Sequence, residues 1–340
     1  MQTPSLPTLE DVAKVAGVST ATVSRSLNTP DDVAEKTLLR VQSAVEQLGY
    51  SPNFGAQALA AKRTNTIGAV IPTMENAIFA RGLQAFQETL VENGSTLLVA
   101  SSSYQREREE VQIRSLIARG ADAILLIGED RREEVYEFLR KRGIPYVLAW
   151  NYRQDSDHCF VGFNNRSAAF DIARTTLKLG HRNIGMIAGL TSENDRARDR
   201  VLGVRDAIAE YNISEENFSL VEAPYDFSSA GDAVEKLLNK NPELTVIICG
   251  NDILAIGAAK RMKSVGLRIP QDISLTGFDD IEVSSIIEPE LTTVHIPHRK
   301  MGKIAAEQLL EMRRTHTISK SIELKPFIVE RQSLAKPKIG

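Results

Sequence analysis

Thr20, Ala21, Ser24 and Arg25 fall on one side of a short helical run, and their side chains suit the reading of base edges. A guanidinium fork matches guanine O6 and N7, a hydroxyl donates or accepts, and an alanine methyl offers only apolar contact. A second set of polar and aromatic residues is scattered along the chain. Trp150, Asn164, Asn251, Asp252 and Asp279 each stand just after an apolar run, and Arg196 and Arg200 lie in ENDRARDRVLGV. Phe79 and Phe227 are candidate aromatic faces. An indole that stacks, with carboxylate, amide and guanidinium groups around it, is chemistry for a sugar or a nucleobase. Other readings stay open position by position: Phe79 and Phe227 also fit a core, Asp252 a helix cap and Arg196 a solvated surface charge.

The first set needs two helices to hold it. In TLEDVAKVAGVSTATVSRSLN, residues 8–28, Thr8 caps a helix and Asp11 completes the reciprocal box. Leu9, Val12, Ala13 and Ala16 then share an apolar face. Gly17 ends that helix where a left-handed residue costs little, and Ser19 caps the next, which buries Val23 and Leu27. Two helices joined so tightly form a helix-turn-helix, whose second member presents its N-terminal side chains to a major groove. Asp32 and Glu35 are expected to box a third helix with Ala34, Leu38, Val41, Val45 and Leu48 on one stripe, stopped by Gly49 and Pro52.

The second set needs sheets. From Thr66, short apolar runs alternate with amphipathic segments: TIGAVIP, residues 77–93, STLLVAS, residues 105–119, ADAILLIG, YVLAW, NIGMIAG, LTVIICG and DISLTGFD. Continuous apolar strands separated by helices imply parallel sheets covered on both faces, and about ten such units exceed one sheet. Ligands of open parallel sheets sit at the carboxyl ends of strands, where the scattered residues stand.

The 340 residues exceed one ordinary domain, and 42% hydrophobic with 25% charged residues is a globular composition. Residues 1–64 carry six basic and six acidic side chains, so any DNA affinity rests on placement: Arg25 on the reading helix, Lys62 and Arg63 beyond it. Weak non-specific binding follows. Cys159 and Cys249 lack metal or disulfide spacing, and the five histidines (His158, His181, His295, His298, His316) have no paired nucleophile, so neither a metal site nor an enzyme is expected. His181 is expected to cap a helix. The N-terminus lacks a basic segment followed by an apolar run, which places the expected site of action in the cytoplasm.

DVAKVAGVSTATVSRSLN, LGYSPN, TNTIGAVIP, ICGNDILAIGA, IPQDISLTGFDD, PELTTVHIP and IVERQS together resemble the LacI/GalR (lactose-repressor/galactose-repressor) family of bacterial regulators, along nearly the whole chain. The resemblance implies an all-α helix-turn-helix domain at 1–52 and a hinge helix or linker at 53–65. A two-lobed α/β body like a periplasmic binding protein follows at 66–340. In it the chain crosses between lobes three times, with 66–155 and 291–318 in one lobe, 160–288 and 320–335 in the other. It further implies that Ser19, Thr20, Ala21, Thr22, Ser24, Arg25 and Asn28 meet DNA. Ala56 and Leu59 belong to a hinge helix, with Leu59 wedged in a minor-groove step and Ala56 letting the backbone approach. Arg200, Asn251 and Asp279 match effector-contacting positions, while Ala149 stands where some sugar-binding relatives carry an aspartate.

The expected protein is thus a homodimeric, or tetrameric, repressor of a metabolic operon. It binds a palindromic double-stranded operator, uses no cofactor, and responds to a sugar or sugar derivative. A nucleobase-responsive regulator and a sugar-binding transport receptor are the alternatives, the latter opposed by the N-terminal module.

Overall fold

The computed structural model describes residues 6–51 and 64–338. The chain forms two compact units, 1–64 and 65–340. The hinge expectations at Ala56, Leu59, Lys62 and Arg63 lie outside the described residues.

In the small unit, α1 (Leu9–Ala16) opens on the expected box: the Thr8 hydroxyl accepts the Asp11 N–H and the Asp11 carboxylate accepts the Thr8 N–H at 2.8 Å. Gly17, at φ 63°, ends it, and Ser19 accepts the Thr22 N–H at 3.1 Å to start α2 (Thr20–Asn28). Val12, Ala13, Ala16 and Val23 meet Val41 and Ala44 of α3 (Glu35–Leu48) in one core, with Val45 and Leu48 packed at its edge. The third box is not formed. Pro30 starts a 3-10 turn that draws in Asp32 and ends at Val33, so α3 follows an exposed Ala34 with no side-chain cap.

The large unit holds two parallel sheets. The first runs β11-β5-β4-β3-β1-β2, from β1 (Thr66–Ile71), β2 (Thr96–Ser101), β3 (Ala123–Ile127), β4 (Tyr146–Ala149), β5 (Phe160–Gly162) and β11 (Ile322–Glu323). Alternation decides its faces: Ile67, Ala69 and Ile71 point to α4 (Ala77–Glu92) and α11 (His298–Thr315), Val70 to α5 (Arg106–Ala118). α6 (Glu133–Lys141) adds Val135, Tyr136 and Leu139 to that second face.

The second sheet runs β7-β6-β8-β9, from β6 (Ile184–Gly189), β7 (Phe218–Ala223), β8 (Val246–Cys249) and β9 (Ser274–Thr276). It is covered by α7 (Asn165–Lys178) and α8 (Asp195–Glu210) on one face, α9 (Phe227–Lys240) and α10 (Asp252–Ser264) on the other. β10 (Thr293–His295) and β12 (Phe327–Val329) form an antiparallel ribbon. The chain passes between the two sheets after β5, after β9 and after β11. Two segments assigned by sequence to the second lobe belong to the first: β5 pairs with β4, and β11 pairs with β5. Both are only two or three residues long, too short to carry a periodic signal.

His181 does not cap a helix. Its ring is buried between the Thr245 hydroxyl at 2.9 Å and the Ala335 carbonyl at 2.8 Å, tying the C-terminal segment to the second sheet.

Candidate DNA-reading helix and effector cavity

α2 has two unlike sides. Val23 and Ser26 are buried, while Thr20, Ala21, Arg25 and Asn28 are exposed. No carboxylate pairs with Arg25 among the described residues, so its guanidinium is not committed to a neighbouring acid. Ser19 is exposed but its oxygen serves the cap, where it also meets the Thr22 hydroxyl at 2.9 Å. Ser24 is half-buried and accepts the Asn28 amide at 3.3 Å. The outward face of α2 is therefore one long cation, one methyl and a few short polar groups, carried on a helix whose other side is core.

In the large unit the strand ends enclose a cramped cavity of about 20 Å³, room for roughly one water. It gathers Phe79, Trp150, Arg196, Arg200, Asn251 and Asp279, six of the nine residues put forward from sequence. Asn164, Asp252 and Phe227 are not among its lining residues. Asn164 caps α7 by accepting the Ser167 N–H at 2.9 Å, and Phe227 opens α9 half-exposed. Its aromatic place is taken by Tyr225, two residues earlier and directly after β7. Asn76, Ile78, Tyr104 and Asn194 also line the cavity. Asn76, Tyr104 and Asn194 lie three to five residues beyond β1, β2 and β6, outside the positions next to an apolar run from which Trp150 and Asp279 were chosen, and Tyr225 follows β7. β7, FSLVEA, is interrupted by Ser219 and the exposed Glu222 and gives no continuous apolar run.

Trp150 turns away from β4 at φ 61°, a left-handed conformation that a bulky residue seldom adopts. Its ring fits because α4 has Gly82 beneath it, where a Cβ would lie 2.4 Å from the indole. Phe79 packs at 5.5 Å, and the indole N–H donates to His298 Nδ1 at 3.2 Å. Burial, with Arg200 nearby, pushes His298 down to about 3, so it stays neutral and can accept that bond.

Arg200 is 6% exposed and held on three sides: Nε donates to Asn165 Oδ1 at 2.9 Å, Nη1 to the Gly250 carbonyl at 2.6 Å, and the guanidinium lies 3.8 Å over Phe278. Its Nη2 stands 3.6 Å from Asp279 Oδ1, an ion pair too long to be a hydrogen bond. Asp279 Oδ1 is buried without a hydrogen-bond partner, at a residue of φ 107°. Burial pushes Asp279 up to about 7, against the pull of Arg200. The Asp279 loop is carried by Asp252, whose carboxylate accepts the Thr293 and Ser284 hydroxyls and the Ile281 N–H. Thus Asp252 has a structural task, while Asp279 offers an unmet acceptor beside a guanidinium with spare N–H groups. Arg196 is balanced by Asp195 at 2.6 Å, so the cavity's charges cancel in pairs and its chemistry suits an uncharged polar ligand with a flat face.

A helix-turn-helix unit joined in sequence to a two-sheet body with a cavity at its strand ends defines a DNA-binding transcription regulator rather than an enzyme. Residues 8–53 match the profile of bacterial regulatory proteins of the lacI family, and residues 173–334 that of a periplasmic binding protein-like domain. The chain is 32% identical over 335 residues to the HTH-type transcriptional repressor PurR of Aliivibrio salmonicida, covering 97% of this chain and all of that one. Catabolite control protein A of Priestia megaterium is 31% identical, with 96% and 98% covered. The crystal structure of the Lac repressor dimer bound to operator and the anti-inducer ONPF superposes with a TM-score of 0.86 at 25% identity, covering 97% and 100%. The chain belongs to the LacI family.

Proposed function

We propose that this protein is a transcriptional repressor that binds a palindromic operator as a homodimer and changes its operator affinity when a small uncharged ligand occupies the body. The observation that carries the reading is α2, with Thr20, Ala21, Arg25 and Asn28 outward over a core that fixes the helix from behind. The domain division follows: reading module to residue 52, hinge at 53–65 with Ala56 and Leu59, effector body from 66. Among the described residues no helix is long and apolar enough to cross a membrane, in keeping with a regulator acting on cytoplasmic DNA.

A sugar or sugar derivative is the ligand class the cavity supports best. Trp150 supplies the face, Arg200 donors, and Asp279 an acceptor for hydroxyls. A nucleobase is the second reading, favoured by Tyr104 and Tyr225 with ring centroids 5.6 Å apart at the same cavity. Paired charges argue against a phosphorylated or multiply charged ligand.

Selection of bound sites from random duplex DNA tests the first half, with enrichment of one palindrome expected; recovery without sequence preference overturns it. A thermal-shift screen of sugars, nucleobases and nucleosides tests the second. The expected hit raises the melting temperature and alters affinity for the selected operator. Stabilisation without any change in operator affinity would remove the regulatory role.

A further inference from the structure

Asp195, the first residue of α8, belongs to the second lobe, yet its carboxylate is spent on the first. Oδ2 accepts the Glu129 N–H, just beyond β3, at 2.8 Å and the Asn151 amide, just beyond β4, at 2.6 Å. Oδ1 accepts Arg196 Nη1 at 2.6 Å, and the same nitrogen donates to the Ile127 carbonyl at 3.2 Å. Two residues of α8 therefore reach across to the ends of two strands in the opposite lobe.

The receiving side is shaped for them. Gly128, at φ 71°, leaves no space for a side chain: a Cβ there would lie 2.4 Å from Asp195 Oδ1. Asn151 is seated against Gly162, where a Cβ would fall 2.2 Å from its carbonyl. Burial alone would push the Asp195 carboxyl up, but Arg196, the Glu129 N–H and the Asn151 amide outweigh it and hold the group below the usual carboxylate range. The surrounding ion pairs are of a different kind. Arg198 meets Asp130 at 2.9 Å, and Arg106 meets the same carboxylate at 2.8 Å, but Arg198 is 46% exposed and water screens it. Asp195 is 2% exposed and is not screened in that way.

We propose that Asp195 is a positioning residue that fastens the two lobes directly to each other and sets Arg196 on the cavity wall. Ligand affinity then depends on a carboxylate that need not touch the ligand, a part of the proposal that rests on the cavity being the effector site. The fastening itself does not rest on that reading.

The test uses the full chain, with dyes on Ala118→Cys at the end of α5 and Asn239→Cys in α9, both exposed; native Cys159 and Cys249 are buried. With no compound added, Asp195→Asn and Asp195→Ala are expected to lower the energy transfer between lobes while melting stays cooperative. Asp195→Glu is expected to restore part of it, and Arg198→Ala to leave it unchanged. Where Asp195→Ala fails to fold, Asn151→Ala removes one donor from the opposite lobe and gives a smaller change of the same sign. Transfer in Asp195→Asn equal to the parent's overturns the proposal. In a second arm, a compound that binds the parent in the thermal-shift screen is expected to bind Asp195→Asn at least tenfold more weakly. If no sugar, nucleobase or nucleoside binds the parent, the effector reading fails while the lobe measurement still decides the fastening.

Discussion

Arg25 and Arg200 are the same side chain in opposite settings. Arg25 stands exposed on α2 with no acidic partner among the described residues, whereas Arg200 is buried among Asn165, Gly250, Asp279 and the Phe278 ring. The outward face of α2 rests on a finished core, with short contacts inside the helix such as the Asn28 amide on Ser24, so Arg25 can be changed without disturbing that core. The cavity is made of groups that hold one another: Arg200 grips Asn165, whose amide in turn donates to the Trp150 carbonyl at 3.0 Å. Substitution at the first site should alter DNA binding without altering stability. Substitution at the second should spread.

The sharpest way to break this contrast is at the reading face. Arg25→Ala is expected to weaken operator binding by ~1–3 kcal/mol and relax the preference at one base of each half-site, with thermal stability unchanged. Anisotropy titrations across operator variants read both quantities; equal weakening on every sequence would make Arg25 a phosphate contact instead. At the cavity, Gly82→Ala drives a methyl into the Trp150 ring and should cost ~1–3 kcal/mol in stability with a shift in tryptophan emission. Base preference should be unaffected. An unshifted emission spectrum would mean that the indole does not depend on that slot.

Thr8→Ala removes the box that opens α1, a loss of ~1 kcal/mol expected to appear in the unfolding of the small unit and not in the body. Urea melts followed by hydrogen exchange separate the two units. The smallest effect is one of pH. The folded Asp279 titrates near 7, above its unfolded value, so its contribution favours the fold at low pH and is lost as pH rises through about 7. Asp279→Asn should therefore narrow the gap in melting temperature between pH 5 and pH 8, with ~1 kcal/mol relieved at pH 8 corresponding to about 2–4 °C. A gap as wide as the parent's would show that Asp279 is already ionised without penalty.

The same contrast governs what could be read from the sequence. α1 and α2 were legible because their signals are local: Thr8 with Asp11, Gly17, then Ser19, each acting within three residues. α3 was legible as a stripe but not at its start, since Pro30 diverted Asp32 into a turn of its own. The cavity draws on residues from 76 to 279, and no short-range pattern joins them. Positions after clear apolar runs were found. Tyr225 was missed because β7 is too polar to stand out, and Tyr104 because the chain leaves β2 through two left-handed residues, Ser103 and Tyr104, that no periodicity announces. The cross-lobe role of Asp195 was hidden for the same reason: its acceptor geometry exists only once β3 and β4 lie beside α8.

The claim that two separate sites are coupled is tested most directly by operator affinity, measured with and without the stabilising compound from the screen, for the parent and for Asp279→Ala. The parent's affinity should shift about 5–150-fold, and Asp279→Ala should bind the operator as the parent does without compound but show no shift when it is added. A variant that responds as fully as the parent would contradict the assignment of the cavity as the effector site.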